Sequence, residues 1–306
     1  MAIRIQQINE QIKQNTEAFL REIDNAYQRQ LETIAAAILE SYQQRPVVLI
    51  SGPSGSGKTT TARMLERILD RSGVESHPLS MDDYFHPLTA RDREMMMRGE
   101  LDLESPTRVD ADLLETQLNA IVRGESVALP TYDFVRADRL DSRKVLTRKK
   151  NEIVILEGIH ALNPEVVRLP DDKTTKLYIS VRTRVTSGEV TLHPSKIRLL
   201  RRMLRDRVGR GRLPEETLRL YASVQRGENR YIMPYKHRAD FDIDTFIAYE
   251  PGVYKKAFME ELSHLHGDPE MDPLLTVLEH AEEIPTDAVP RDSLIREFIG
   301  DGVFGE

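Results

Sequence analysis

The run Gly52-Pro53-Ser54-Gly55-Ser56-Gly57-Lys58-Thr59 constrains this fold more than any other segment, because it is a complete G-x-x-x-x-G-K-[ST] loop. Its glycines let backbone N–H groups turn inward around phosphate oxygens. Lys58 is placed to reach the β- and γ-phosphates and the Thr59 hydroxyl to hold Mg²⁺. The flanks agree with this. Val47-Val48-Leu49-Ile50-Ser51 reads as a short buried strand and Thr59 to Leu69 as a helix, so a helix N-terminus points at the anion.

A chain of 306 residues with 40% hydrophobic content can bury a full α/β core with appendages. No apolar run reaches the length of a membrane span, and the polar, acid-bearing N-terminus does not read as a secretory signal. The absence of cysteine excludes disulfides, thiolate metal sites and thiol catalysis, and fits a cytoplasmic address. A net charge of −7 argues against nucleic acid as a general partner.

Apolar spacing predicts one amphipathic helix over residues 4–44, carried by Ile5, Ile8, Ile12, Phe19, Ile23, Leu31, Ile34 and Ile38 and ended by Pro46. It serves either to pack on the body of the protein or to dimerise. Further strands are expected at Glu75–Ser80, Ile153–Leu156, Leu177–Val181 and Phe241–Ile247. Helices are expected over 110–122, 195–208 and 215–226. Residues 89–100 read as a charged, Met-rich helical flap. Ala128–Phe134 and Lys144–Arg148 read as a hairpin. This alternation implies a three-layer, doubly wound α/β fold with a mostly parallel sheet. The expected division is a helix over 1–45, a core over 46–250 and a helical, Pro-punctuated extension with a polar tail over 251–306.

Ligands of open α/β sheets sit beyond the carboxyl ends of the strands. The second strand ends in Ser80-Met81-Asp82-Asp83-Tyr84-Phe85, which places one of two acids where it can take a hydroxyl proton or help hold Mg²⁺. Glu157, closing an apolar strand, stands in a Walker B position for the Mg²⁺ shell. Residues 198–212 carry Arg198, Arg201, Arg202, Arg205, Arg207, Arg210 and Arg212. Arg198, Arg202 and Arg205 share a helical face, and Gly209-Arg210-Gly211-Arg212 reads as a basic lid for phosphate oxygens. The histidines show no metal-ligand spacing. His160 falls either near the site or in the core.

Taken together, these segments resemble the uridine kinase and phosphoribulokinase-like family of P-loop kinases through most of 47–250. The resemblance implies a P-loop NTPase fold with an Arg-rich helical lid and a β-hairpin nucleoside pocket. It assigns the catalytic base to Asp82 and the ribose-diol grip to Glu104, within Leu103-Glu104-Ser105-Pro106. It assigns the nucleoside pocket to Pro130-Thr131-Tyr132-Asp133-Phe134, with Tyr84 and Phe85, and the lid to Arg201-Arg202-Met203-Leu204-Arg205-Asp206 through Arg212. The donor, ATP or GTP, is then held by Gly52, Ser54, Gly55, Ser56, Gly57, Lys58, Thr59, Thr60, Arg210 and Arg212, with Mg²⁺ on Thr59 and Glu157. Lys58, Arg202 and Arg205 join Asp82 in catalysis, and both arginines also touch the substrate. A homo-oligomer is also implied. Glu157-Gly158-Ile159-His160-Ala161-Leu162-Asn163-Pro164, Arg226-Gly227-Glu228 and Ser293-Leu294-Ile295-Arg296-Glu297-Phe298-Ile299-Gly300 are similar to a bacterial nucleoside kinase subfamily that often carries a threonyl-tRNA synthetase-like N-terminal domain. Only the short helix stands in that place here.

The departures concern the base. Ala137 stands where the family's pyrimidine-reading His falls, and Leu220 where a pocket Gln falls. Phe85 replaces a Tyr. Residues 182–195 are longer than the family's loop and read as a specificity element or a surface insertion. Three functions are consistent with these residues. The first is an ATP- and Mg²⁺-dependent nucleoside 5′-hydroxyl kinase. The second is a kinase for a sugar, phosphosugar or hydroxy acid. The third is a nucleotide-binding regulator without turnover.

Overall fold

A computed structural model of the chain describes residues 1–98, 100–140 and 144–304, with the backbone alone for 208–210. In chain order the elements are β1 (Ala2–Arg4), α1 (Ile5–Ser41), β2 (Val47–Ser51), α2 (Lys58–Arg71), β3 (Ser76–Ser80), α3 (Ala90–Met97), α4 (Ala111–Arg123), β4 (Val127–Ala128), β5 (Thr131–Asp133), β6 (Asp138–Leu140), β7 (Val145–Leu146), β8 (Ile153–Glu157), β9 (Thr174–Ser180), β10 (Arg184–Ser187), β11 (Val190–Leu192), α5 (Pro194–Arg210), α6 (Pro214–Tyr231), β12 (Phe241–Asp244), α7 (Glu250–Leu262), α8 (Asp272–His280) and α9 (Arg296–Ile299).

The central sheet runs β12-β9-β2-β8-β3, and every neighbouring pair in it is parallel. Alternate residues feed its two faces. Val48, Ile50, Ile153 and Ile155 enter one core with α1, α2, α5, α7 and α8, while Val47, Leu49, Val154 and Leu156 enter a second core under α4. The register aligns the carboxyl ends of three strands: Ile50 lies opposite Glu157, and Glu157 opposite Ser80. The phosphate loop and the acids that follow β3 and β8 are therefore brought to one end of the sheet. Pro78 is accommodated because β3 is an edge strand, where its missing N–H disturbs no ladder. No described helix is long and apolar enough to cross a membrane.

The structure corrects the sequence reading at the N-terminal helix and the C-terminal tail, and gives residues 182–195 a form. The N-terminal helix is broken at Asn15, which leaves the helical region (φ −165°, ψ 97°). The Asn15 side-chain oxygen accepts from Ala18 N at 3.0 Å, so this residue caps a second helical segment, as a short polar side chain does. Residues 182–195 form the β10–β11 hairpin, onto which β1 pairs in parallel. The 251–306 segment does not end in a polar tail: Leu294, Ile295 and Phe298 are fully buried in the core shared with α1 and α2.

Candidate active site

The phosphate loop is shaped by contacts that exclude side chains. A Cβ on Gly52 would stand 2.0 Å from the Ile179 carbonyl oxygen. Gly55 has φ +73°, and a Cβ there would lie 2.8 Å from the Arg198 carbonyl oxygen. The loop is also tied to the helices behind it. Ser54 N donates to Glu228 Oε1 at 3.2 Å, and Arg202 Nη1 donates to Ser54 Oγ at 2.9 Å. Lys58 Nζ, half-buried, donates to Pro53 O at 3.2 Å, and Thr59 is exposed on the first turn of α2. Ser56 Oγ is buried without a hydrogen-bond partner among the described residues, a polar atom left for a ligand.

Across from the loop, Ser80 Oγ donates to Glu157 Oε1 at 3.0 Å and accepts from Asp82 N at 3.3 Å. Burial, and then the nearby Asp82 charge, push the Glu157 carboxyl up to about 7 against the pull of Lys58 and Ser80. Burial also pushes Glu104 up to about 7, where Arg202 and Lys58 pull down while Glu228 and Asp82 push up. These carboxylates act on one another electrostatically, and a bound divalent cation would relieve that repulsion. The two adjacent acids divide their tasks: Asp83 Oδ1 accepts from Tyr132 N at 3.1 Å and so pins the hairpin, while Asp82 lies in the field shared by Glu104, Glu157 and Lys58.

Tyr84 is corrected. The short 3₁₀ turn Met81–Tyr84 rotates it inward, where it is 1% exposed and its hydroxyl donates to Gln117 Oε1 at 2.8 Å. It braces α4 from within the core. Phe85, Tyr132 and Phe134 instead form an edge-to-face trio with centroids 5.2–6.4 Å apart, and Phe134 is more than half exposed. Ala137 closes the β5–β6 turn with φ 52°, its carbonyl accepting from Leu88 N at 3.0 Å. Leu220 is an exposed residue of α6. Glu104 packs onto α6 at Gly227, where a Cβ would come within 2.3 Å of the Glu104 Cβ.

The arginine segment separates into two groups. Arg198 is buried in a two-bond pair with Glu228 at 2.6 and 2.8 Å, and Arg201 in one with Glu250 at 2.7 and 2.9 Å. Their charges are already matched, so Arg198 leaves the phosphate-facing set that its helical spacing suggested. Arg202, Arg205 and Arg212 gather around the fully buried Asp206 at 3.6, 3.5 and 3.5 Å. The Arg210 side chain lies outside the described residues. His160 is buried edge-on to Tyr231, and burial pushes it down to about 4, so it is neutral.

The pairing of Glu228, Glu250 and Asp206 with arginines escapes sequence reasoning because those partners are distant in the chain or hidden in a basic run. An acid adjoining a helix glycine, as in Arg226-Gly227-Glu228, was the available signal. One histidine converges with two acids closely enough to suggest a metal: His77, Glu75 and Glu152 meet at the opposite end of β3 and β8 among the described residues. Lys149 already supplies the cation there, at 2.7 Å from Glu152. Although burial opposes it, that pairing holds Glu152 down at about 2.

The family model described as Phosphoribulokinase / Uridine kinase family matches residues 47–248. Among curated relatives, the uridine kinase of Halobacterium salinarum is 33% identical over 195 residues, covering 63% of this chain and 77% of its own. The uridine kinase of Geobacillus sp. is 34% identical over 203 residues, covering 65% and 86%. Among solved structures, YFH7 from Saccharomyces cerevisiae aligns with a TM-score of 0.51 at 14% identity, covering 70% of this chain and 98% of that one. The YGR205w protein aligns with a TM-score of 0.51 at 18% identity, covering 73% and 94%. These structures share the fold.

Proposed function

Because the chain belongs to the phosphoribulokinase/uridine kinase family, we propose that it is a kinase that phosphorylates the 5′-hydroxyl of a nucleoside with ATP as donor. The observation that carries this reading is the seating of Glu104 on Gly227, in the same field as Lys58 and Asp82. A carboxylate there grips a diol, and the rings of Phe85, Tyr132 and Phe134 offer a flat apolar face to a base.

In this reading the loop amides and Lys58 hold the donor's phosphates. Asp82 takes the proton from the acceptor's 5′-hydroxyl oxygen as that oxygen bonds to the γ-phosphorus and ADP leaves. Arg202 and Arg205, with Arg210 and Arg212, close on the phosphates and exclude water. Thr59 and, through water, Glu157 would hold Mg²⁺, which when bound neutralises the developing phosphate charge.

Ala137 and Leu220 favour a second acceptor class, since neither side chain reads a base by hydrogen bonds. An acceptor panel of nucleosides, sugars and hydroxy acids with ATP and Mg²⁺ decides between them. Turnover with nucleosides supports the proposal. Turnover of a sugar or acid with none of a nucleoside replaces it, and nucleotide binding with no turnover at all points to a regulator.

A further inference from the structure

The segment Ser293–Gly300, singled out in the sequence but without a part in phosphoryl transfer, ends on the phosphate loop. Glu297 Oε2 accepts from Thr60 N at 3.1 Å, across 237 positions of sequence. Thr60 N belongs to the group of N–H donors at the start of α2 that no helical carbonyl can satisfy. Thr61 N already closes the first intrahelical bond, to Gly57 O at 3.0 Å. In a loop of this type those amides are the phosphate donors. A carboxylate of this chain therefore occupies one of them.

The backbone on either side of Glu297 is fixed. The buried Leu294 side chain lies 3.0 Å from where a Gly57 Cβ would be, so it seals the loop's last glycine. Ser293 Oγ is bonded to Asp24 at 2.9 Å and to Tyr249 at 2.7 Å. Arg296 donates to the carbonyls of Thr286, Val289 and Gly300, and Phe298 packs beneath the Arg201 guanidinium at 5.1 Å. Glu297 itself is half-buried between these anchors, so its side chain can turn while the strap stays in place.

We propose that Glu297 is a donor-site residue whose carboxylate stands in for a phosphate oxygen on the Thr60 amide and has to leave before the donor's phosphates are seated. One N–H cannot serve both anions, and two negative charges at that distance repel. The acid sets the affinity for polyphosphate and keeps the empty loop's donor satisfied. The inference rests on the phosphate loop and is independent of which acceptor is used.

The test is equilibrium binding of ATP, ADP, inorganic tripolyphosphate and adenosine to the full chain by titration calorimetry, with no acceptor present. Glu297→Gln is expected to bind ATP, ADP and tripolyphosphate about tenfold more tightly and adenosine unchanged. Asp292→Asn, an exposed acid on the same strap, should leave all four affinities within about twofold. Unchanged or weaker tripolyphosphate binding in Glu297→Gln overturns the proposal, as does equal tightening for adenosine or an equal gain from Asp292→Asn. Should Glu297→Gln not fold, Glu297→Asp withdraws the carboxylate by one methylene and is expected to tighten tripolyphosphate binding about threefold. No gain there overturns the proposal equally.

Discussion

Gly227 on α6 leaves empty the volume that the Glu104 side chain fills: a Cβ at 227 would stand 2.3 Å from the Glu104 Cβ and 2.8 Å from its Cγ. The next residue, Glu228, turns to Arg198 and to Ser54 of the phosphate loop. Neighbouring positions of one helix thus touch Glu104 and the phosphate loop.

A methyl group at 227 has to push Glu104 at its root, where the side chain cannot bend away. Gly227→Ala is expected to raise the acceptor KM by about ten- to a hundredfold while ADP affinity stays within about twofold. Steady-state kinetics over acceptor concentration, together with calorimetric ADP titration, read the two effects separately.

Removing the proposed base should spare binding and stop chemistry. Asp82→Asn keeps the shape and loses the charge that accepts the hydroxyl proton, so turnover should fall by about 10²–10⁴-fold. Nucleotide affinity should hold or improve slightly, because one of the crowded acids is gone. Single-turnover rates at saturating donor check this, and near-normal turnover would remove Asp82 from the role.

Arg201 lies in a motif of phosphate-facing arginines, yet its guanidinium is fully buried against Glu250 and also donates to Thr245 O at 2.7 Å. Arg201→Met leaves Glu250 charged and unpaired in the core. It should cost about 3–5 kcal/mol of stability, measured by urea unfolding. The double variant Arg201→Met, Glu250→Gln should recover part of that loss.

The raised carboxyls give a signed pH dependence. Glu104 and Glu157 titrate near 7 in the folded chain, above the ordinary glutamate value near 4.3 of an unfolded one. The native state therefore binds more protons between those values. The stability it holds below pH ~4.3 is lost as pH rises through ~7. Glu157→Gln should accordingly melt a few degrees above the parent chain at pH 8, with the difference shrinking toward pH 5. A gain that is the same at both pH values would show that Glu157 is not the titrating group. Saturating Mg²⁺ and ADP should flatten the parent chain's dependence as well.

Local pattern exposed what is locally encoded. The strand runs at Val47, Ile153 and Leu177 and the loop at Gly52 are contiguous, and they place the phosphate site at the carboxyl end of the sheet. The fate of a given charge is not contiguous. Arg198 looks like a lid arginine by helical spacing and Arg201 by family resemblance, and only Glu228 and Glu250, 30 and 49 residues away, reveal them as structural. Tyr84 reads as a pocket aromatic, but a single 3₁₀ turn rotates it into the core. Asn15 carries helix-period neighbours on both sides, so apolar spacing hides the break that its own side chain caps. Glu297 could not be tied to Thr60 from sequence, because no periodicity links positions so far apart.

Pro78 also bears on how copies of this chain can meet. It sits in the outermost strand of the sheet, registered with Ile155 on the inner side, and offers no N–H to anything arriving from outside. A second molecule cannot extend the sheet by laying its own strand along β3 without leaving a carbonyl there unanswered. On that side of the sheet an assembly has to use something other than strand pairing, so the acid-bearing ends of β3 and β8 keep each other as neighbours there.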